Sequence, residues 1–131
     1  MQPSRVSRGV GTDALHQETH GMRKCTDGFR RLIAWQEAKK LALKIYTLTK
    51  PFPREEQFAL TSQIRRAASS AMANLAEGSA MPTKAHRDSY YSRARGSVAE
   101  VDNHMELSFE LQYVTAHQQA DIADHCARRC I

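Results

Sequence analysis

From Phe29 onward the apolar positions recur three and four residues apart, which predicts helices along the rest of the chain. Trp35, Ala38, Ala42, Ile45 and Thr49 keep that interval, and Leu32, Leu41 and Leu48 widen the stripe. A first helix is therefore expected over about 29–49, with Asp27 as a candidate N-cap. Lys50-Pro51-Phe52-Pro53 ends it, because proline lacks the amide hydrogen and its ring clashes with the preceding turn. A second helix is expected to begin within 54–61 and run to Glu77, after a short turn at Phe58 and Leu60. Its apolar face is Leu60, Ile64, Ala67, Ala68, Ala71 and Leu75, mostly alanine, so a neighbouring helix can approach closely. Gly78 suits the C′ position, and Pro82 forbids continuation. Thr83 can cap a third helix reaching about Tyr113, with Tyr91, Ala94, Val98, Val101 and Met105 as its stripe. Thr115 and Gln118 have the spacing of a capping box, which starts a fourth helix from Ala116 to about Cys130. Ile122 and Ala123 are its modest anchors.

Three long helices and a shorter fourth, joined by short loops, predict an all-α, antiparallel up-and-down four-helix bundle over residues 29–131. Residues 1–28 are rich in Gly, Ser, Thr and charge with aperiodic apolar positions, so a flexible N-terminal extension is expected there. A chain of 131 residues suits one domain with a single core.

Charge adds a lean toward anionic partners. Nineteen Lys+Arg against 14 Asp+Glu give +5, and residues 29–131 carry most of the excess. No apolar run approaches the roughly 20 residues of a membrane span, so no membrane partner is expected. Cys25, Cys126 and Cys130 are odd in number, which fits a reducing cytoplasm better than a disulfide framework.

Several ordered blocks go beyond periodicity. They are Leu32-Ile33-Ala34-Trp35-Gln36-Glu37-Ala38, Ile45-Tyr46, Thr49-Lys50-Pro51-Phe52-Pro53, and Glu55 through Ala68, which reads EEQFALTSQIRRAA. Asn74-Leu75-Ala76-Glu77-Gly78 and Ala94-Arg95-Gly96-Ser97-Val98-Ala99-Glu100 follow. Together these resemble the bacterial four-helix-bundle family encoded in intervening sequences of large-subunit ribosomal RNA genes. The resemblance spans about residues 29–122. It implies an up-down bundle assembling as a ring-like homo-oligomer, a pentamer. A similar bundle is the accessory variability determinant of diversity-generating retroelements, which works with a reverse transcriptase and nucleic acid. The resemblance implies no reaction. Ala71 and Met72 stand where the family often has a bulky aliphatic and a proline, which predicts a straighter second helix. The fourth helix is shorter than is usual in the family.

Two constellations are candidates for chemistry. One is a polar seam: Gln63, Ser70, Asn74 and Glu77 on the second helix against Arg93, Ser97, Glu100 and His104 on the third. If Glu77 lies near Lys84 across the loop, Gln63 meets Ser97, and the seam is a structural network fixing register. The other is a basic stripe: Lys84, Arg87, Tyr91 and Arg95 on the third helix, joined by Arg65 and Arg66, with Arg66 near Ala94. Guanidinium forks suit phosphates, and Tyr91 could stack on an unpaired base or belong to the core. Trp35, Tyr46, Phe52 and Phe58 are candidate bundle or interface anchors.

No metal or other cofactor is expected. Glu100, His104, Glu106 and Glu110 lack the paired Glu-x-x-His spacing of a di-iron bundle, and Cys126 and Cys130 lack a second ligand pair. No nucleophile elbow or Gly-rich phosphate loop is present. Gly96, inside the third helix, is expected to be compensated by close packing. The expectation is a non-enzymatic, cytoplasmic binding module for RNA, DNA or a ribonucleoprotein. The alternative is a structural or protein-interaction scaffold without a nucleic-acid role.

Overall fold

The structure is a computed structural model, and it describes residues 28–128. The expected extension, the Asp27 cap, Cys25, Arg129 and Cys130 lie outside the described residues. Four helices are present: α1 (Ile33–Thr49), α2 (Leu60–Ala80), α3 (Lys84–Glu110) and α4 (Ala116–Arg128). No strand occurs among the described residues, consistent with a four-helix bundle.

Two starts differ from expectation. Residues Gly28–Arg31 form a 3-10 turn, and α1 begins only at Ile33. The break at Leu32, which is extended, lets the Phe29 ring fold back edge-on to Trp35, with centroids 5.0 Å apart. A second 3-10 turn, Arg54–Glu56, precedes α2. Glu56 then caps α2: its Oε2 accepts the Leu60 amide at 3.1 Å, satisfying one of the donors a helix start leaves open.

Helix α2 does not stop at Gly78. It is uninterrupted for 21 residues and ends at Ala80, where Met81 turns extended before Pro82. Gly78 is a packing residue rather than a C′ cap. Thr83 caps α3 by accepting the His86 amide. Helix α3 ends three residues earlier than expected, at Glu110. Gln112 takes φ 64°, Gln112 N–H donates to Phe109 O, and Tyr113 N–H donates to Ser108 O, each at 2.9 Å. Those two bonds are a Schellman cap, built here without glycine. The predicted capping box of α4 is present: Gln118 N–H donates to Thr115 Oγ1 at 3.1 Å, and Thr115 N–H to Gln118 Oε1 at 2.9 Å.

The core is one continuous cluster. Leu41, Ile45, Ile64, Leu75, Val101, Met105 and Ile122 are its fully buried large side chains. The most extensive packing is between α2 and α3, where Ala67, Ala68, Ala71 and Ala94 are all buried. Small side chains let the two axes approach, so backbone and tyrosine rings fill the space that larger residues would need. Helix α4 packs chiefly on α3 and only sparsely on α1. Two polar links tie it to α1. Lys44 Nζ is 3.0 Å from Asp121 Oδ2 at the surface, and the buried His125 donates from Nε2 to Glu37 O at 3.0 Å. The pairs Glu37–His125 and Lys44–Asp121 run in opposite order along the two helices, so α1 and α4 are antiparallel.

Candidate nucleic-acid interface

The register of α2 against α3 decides which candidate residues meet. Ser97 Oγ donates to Ser70 Oγ at 3.0 Å. The expected partner of Ser97 was Gln63, seven residues earlier on α2, which is two helical turns. The offset has a physical cause: α2 continues past Gly78, so the chain reverses later than the glycine suggested. Arg66 consequently lies level with positions beyond Ser97, not beside Ala94.

The polar seam contracts to a node. Asn74 Nδ2 donates to Ser70 O at 2.9 Å and to Ser70 Oγ at 3.0 Å, and Ser97 completes the set. The other seam residues stand apart. Gln63 and Glu77 are exposed, and Arg93 is exposed with its guanidinium 4.9 Å from the Tyr90 ring. His104 is buried, with Nε2 3.3 Å from Glu100 Oε1 one turn back, and its Nδ1 has no hydrogen-bond partner among the described residues. No group of three or more His, Cys, Asp or Glu side chains is placed to hold a metal among the described residues.

The basic stripe is spread along the bundle. Lys84 and Arg87 occupy the end of the bundle near the α2–α3 loop, where Arg87 Nη1 donates to Met81 O at 3.1 Å, and Arg95 lies about 16 Å further along α3 at 1.5 Å per residue. Asp88 sits among them. Lys84 binds its Oδ2 at 2.8 Å, and that hydrogen bond leads the causes that hold the Asp88 carboxyl below its ordinary value, helped by the charges of Lys84, Arg87 and Arg95. Tyr91 is half-buried against Gly78 and the core, so its ring is not an open stacking surface. Arg95 donates to Ser92 Oγ at 3.1 Å.

Arg65 and Arg66 lie in the second turn of α2, roughly 20 Å along its axis from the loop end at 1.5 Å per residue. Arg65 is held from two sides. Its Nε donates to Thr49 Oγ1 at 2.8 Å, and its guanidinium lies 4.8 Å from the Tyr46 ring centre. The Thr49 hydroxyl is itself fixed, donating to Ile45 O at 2.8 Å. Between the end of α1 and the start of α2 runs an open groove of about 710 Å³, lined by Tyr46, Phe58, Thr61, Ser62, Arg65 and Arg66 among others. No Asp or Glu lines it. Among the described residues Arg65 and Arg66 make no ion pair, whereas Lys84 is paired with Asp88.

The chain matches the family described as 23S rRNA-intervening sequence protein over residues 30–130. It belongs to that family. Comparison with curated proteins returned no match. The family match covers all four helices and the basic stripe.

Sequence reasoning named Arg65 and Arg66 but missed the groove around them. Ser62, Arg65, Arg66, Ser69 and Ala73 recur along one face of α2, a signal present in the spacing. The contribution of Tyr46 from α1 could not be read without the helix pairing. Among the four aromatic anchors, Phe52 is buried, Trp35 is half-buried against the core, and Tyr46 is exposed at the groove. Phe58 is 91% exposed, so it is no bundle anchor. It sits in the turn just before α2, where nothing in the bundle reaches across to cover it.

Proposed function

We propose that this chain is a non-catalytic cytoplasmic bundle that binds nucleic acid, or a ribonucleoprotein, through its basic surface. The supporting observation is the set of arginines without acidic partners. Among the described residues no carboxylate lies in salt-bridge contact with Arg65, Arg66, Arg87 or Arg95, and a phosphate backbone is the partner that supplies such charge in a row. The family description points in the same direction by naming ribosomal RNA.

Self-association belongs to the same proposal, with closure into a ring of five as the resemblance implies. Its support is the outer side of α1, where Ile33 and Leu43 are 75% and 60% exposed. Leu43 stands between two hollows, one with Trp35 and Lys39 and the other with Leu48 and His117. An exposed leucine ridge of α1 between two hollows with mainly apolar surface suits contact between copies. The same ridge supports the second reading, a scaffold that holds a protein partner and no nucleic acid.

Fluorescence anisotropy with labelled structured RNA and a matched DNA duplex tests the first reading, at low and physiological salt. Binding is expected to weaken as salt rises, with a slope of about 0.9 per neutralised phosphate on duplex. A variant with Arg65, Arg66, Arg87 and Arg95 changed to Gln should bind more weakly and with a shallower slope. Its circular-dichroism melt checks that the bundle is intact. Unchanged binding by that folded variant rejects the arginine assignment. A wild type silent toward both nucleic acids leaves the scaffold reading. Light scattering on Leu43→Glu tests the assembly, which should come apart.

A further inference from the structure

We infer that the groove between the end of α1 and the start of α2 is a site for an unpaired nucleotide, with its base on Phe58 and its phosphate at Arg65 and Arg66. The inference rests on the nucleic-acid reading above and specifies its ligand as a single strand.

Three observations meet in this groove. The first is charge. Arg65 and Arg66 adjoin on α2, and the lining contains no carboxylate. Arg65 is already oriented by Thr49 and Tyr46, so little freedom remains to be lost when an anion binds its outer edge. The second is the pair of rings. Phe58 is almost wholly in water and Tyr46 is 45% exposed, and both line the same groove. An aromatic face beside a basic groove is how single strands are held, because every base has a face to stack and every nucleotide a phosphate to neutralise. The third is hydroxyl chemistry. Ser62 and Ser69 line the groove next to the arginines, and the buried Thr61 Oγ1 in its wall has no hydrogen-bond partner among the described residues.

A duplex fits these features poorly. Its bases are stacked on one another, so their faces are closed to Phe58, and only its phosphates could use the site. A single strand uses both halves. Stacking and phosphate contacts are open to ribose and deoxyribose strands alike, so the shared chemistry is an unpaired base joined to a phosphodiester.

The test uses the full chain with short labelled RNA and DNA single strands and with duplexes of the same sequence. Single strands should bind more tightly than duplexes at physiological salt. Phe58→Ala should weaken single-strand binding by about fivefold or more and leave duplex binding unchanged. Phe58→Tyr should restore it. Arg66→Gln should lower the salt slope for a single strand by about 0.7. Phe58 is outside the core, so the Ala variant should melt as the wild type does. Equal affinity for the two forms, with Phe58→Ala without effect, overturns the inference and leaves the broader nucleic-acid reading standing. Wild-type protein that binds neither form at low salt overturns both. A Phe58→Ala variant that falls apart in light scattering while binding single strands normally makes the ring a contact between copies, and the inference fails.

Discussion

Gly78 on α2 and Tyr91 on α3 touch so closely that a methyl group on the glycine would lie 2.8 Å from Cε1 of the tyrosine ring. The same methyl would be 3.0 Å from Tyr90 Cβ, which is fixed to its backbone. The glycine thus leaves the space that Tyr90 and Tyr91 of α3 occupy against α2. Gly78→Ala gains about 1 kcal/mol of helix propensity, but overpacking costs about 1–3 kcal/mol. We expect a net loss of stability, seen as a lower midpoint in urea.

Gly96 gives the opposite expectation. An added Cβ there meets nothing within 4 Å, and the residue is exposed on α3. The close packing anticipated for it is absent among the described residues. Gly96→Ala should therefore raise stability by about 0.5–1 kcal/mol in the same measurement. Loss of assembly in that variant would instead locate Gly96 at a contact between copies.

Gln112 carries the only positive φ among the described non-glycine residues. Its side chain is exposed and gives no packing to the core. Gln112→Gly should relieve the left-handed strain and stabilise by about 0.5–1 kcal/mol, partly offset by the freer unfolded chain.

Thr115→Ala removes the side chain that accepts the Gln118 amide. About 1 kcal/mol of stability should be lost. Helix α4 has sparse packing on α1, so the loss should fall locally. Hydrogen exchange should quicken at the first amides of α4 before the rest of the bundle responds.

Tyr113 links the α3–α4 loop to the start of α2. Its hydroxyl donates to Glu56 Oε1 at 3.3 Å, and its ring lies 5.3 Å from Phe52. Loss of solvent around the phenol raises its pKa above 10.0, and the nearby Glu56 carboxylate adds to the shift. The neutral phenol is thus favoured in the folded state. The stability it contributes is present below pH 10.0 and is lost as pH climbs past that value toward the folded one. Tyr113→Phe should flatten the fall of melting temperature above about pH 10 and change little near neutrality.

The helices themselves were legible in the chain because their signals are local. The stripe through Ala38, Ala42 and Ile45, the Pro51 and Pro53 stop, the Thr83 cap and the Thr115–Gln118 box act within a turn or two of sequence. Arg65 and Arg66 were legible as charge for the same reason. Where a local signal and packing disagreed, packing prevailed. Gly78 reads as a helix end, yet α2 runs through it because the absent side chain serves Tyr91 on another helix. Gln112 holds a position that glycine would normally mark, so no residue type announced the end of α3.

Sequence alone determined the class of the fold and the excess of positive charge, since helix period and formal charge depend on residue order and type. Tertiary structure decided register and company. It set Ser97 against Ser70, spread the basic residues along the bundle, and paired Lys84 with Asp88. It closed Tyr91 against Gly78, and brought Tyr46 from α1 beside Arg65 and the open ring of Phe58. Those relations join residues far apart in the chain, and the distance between two helices depends on every small side chain packed between them.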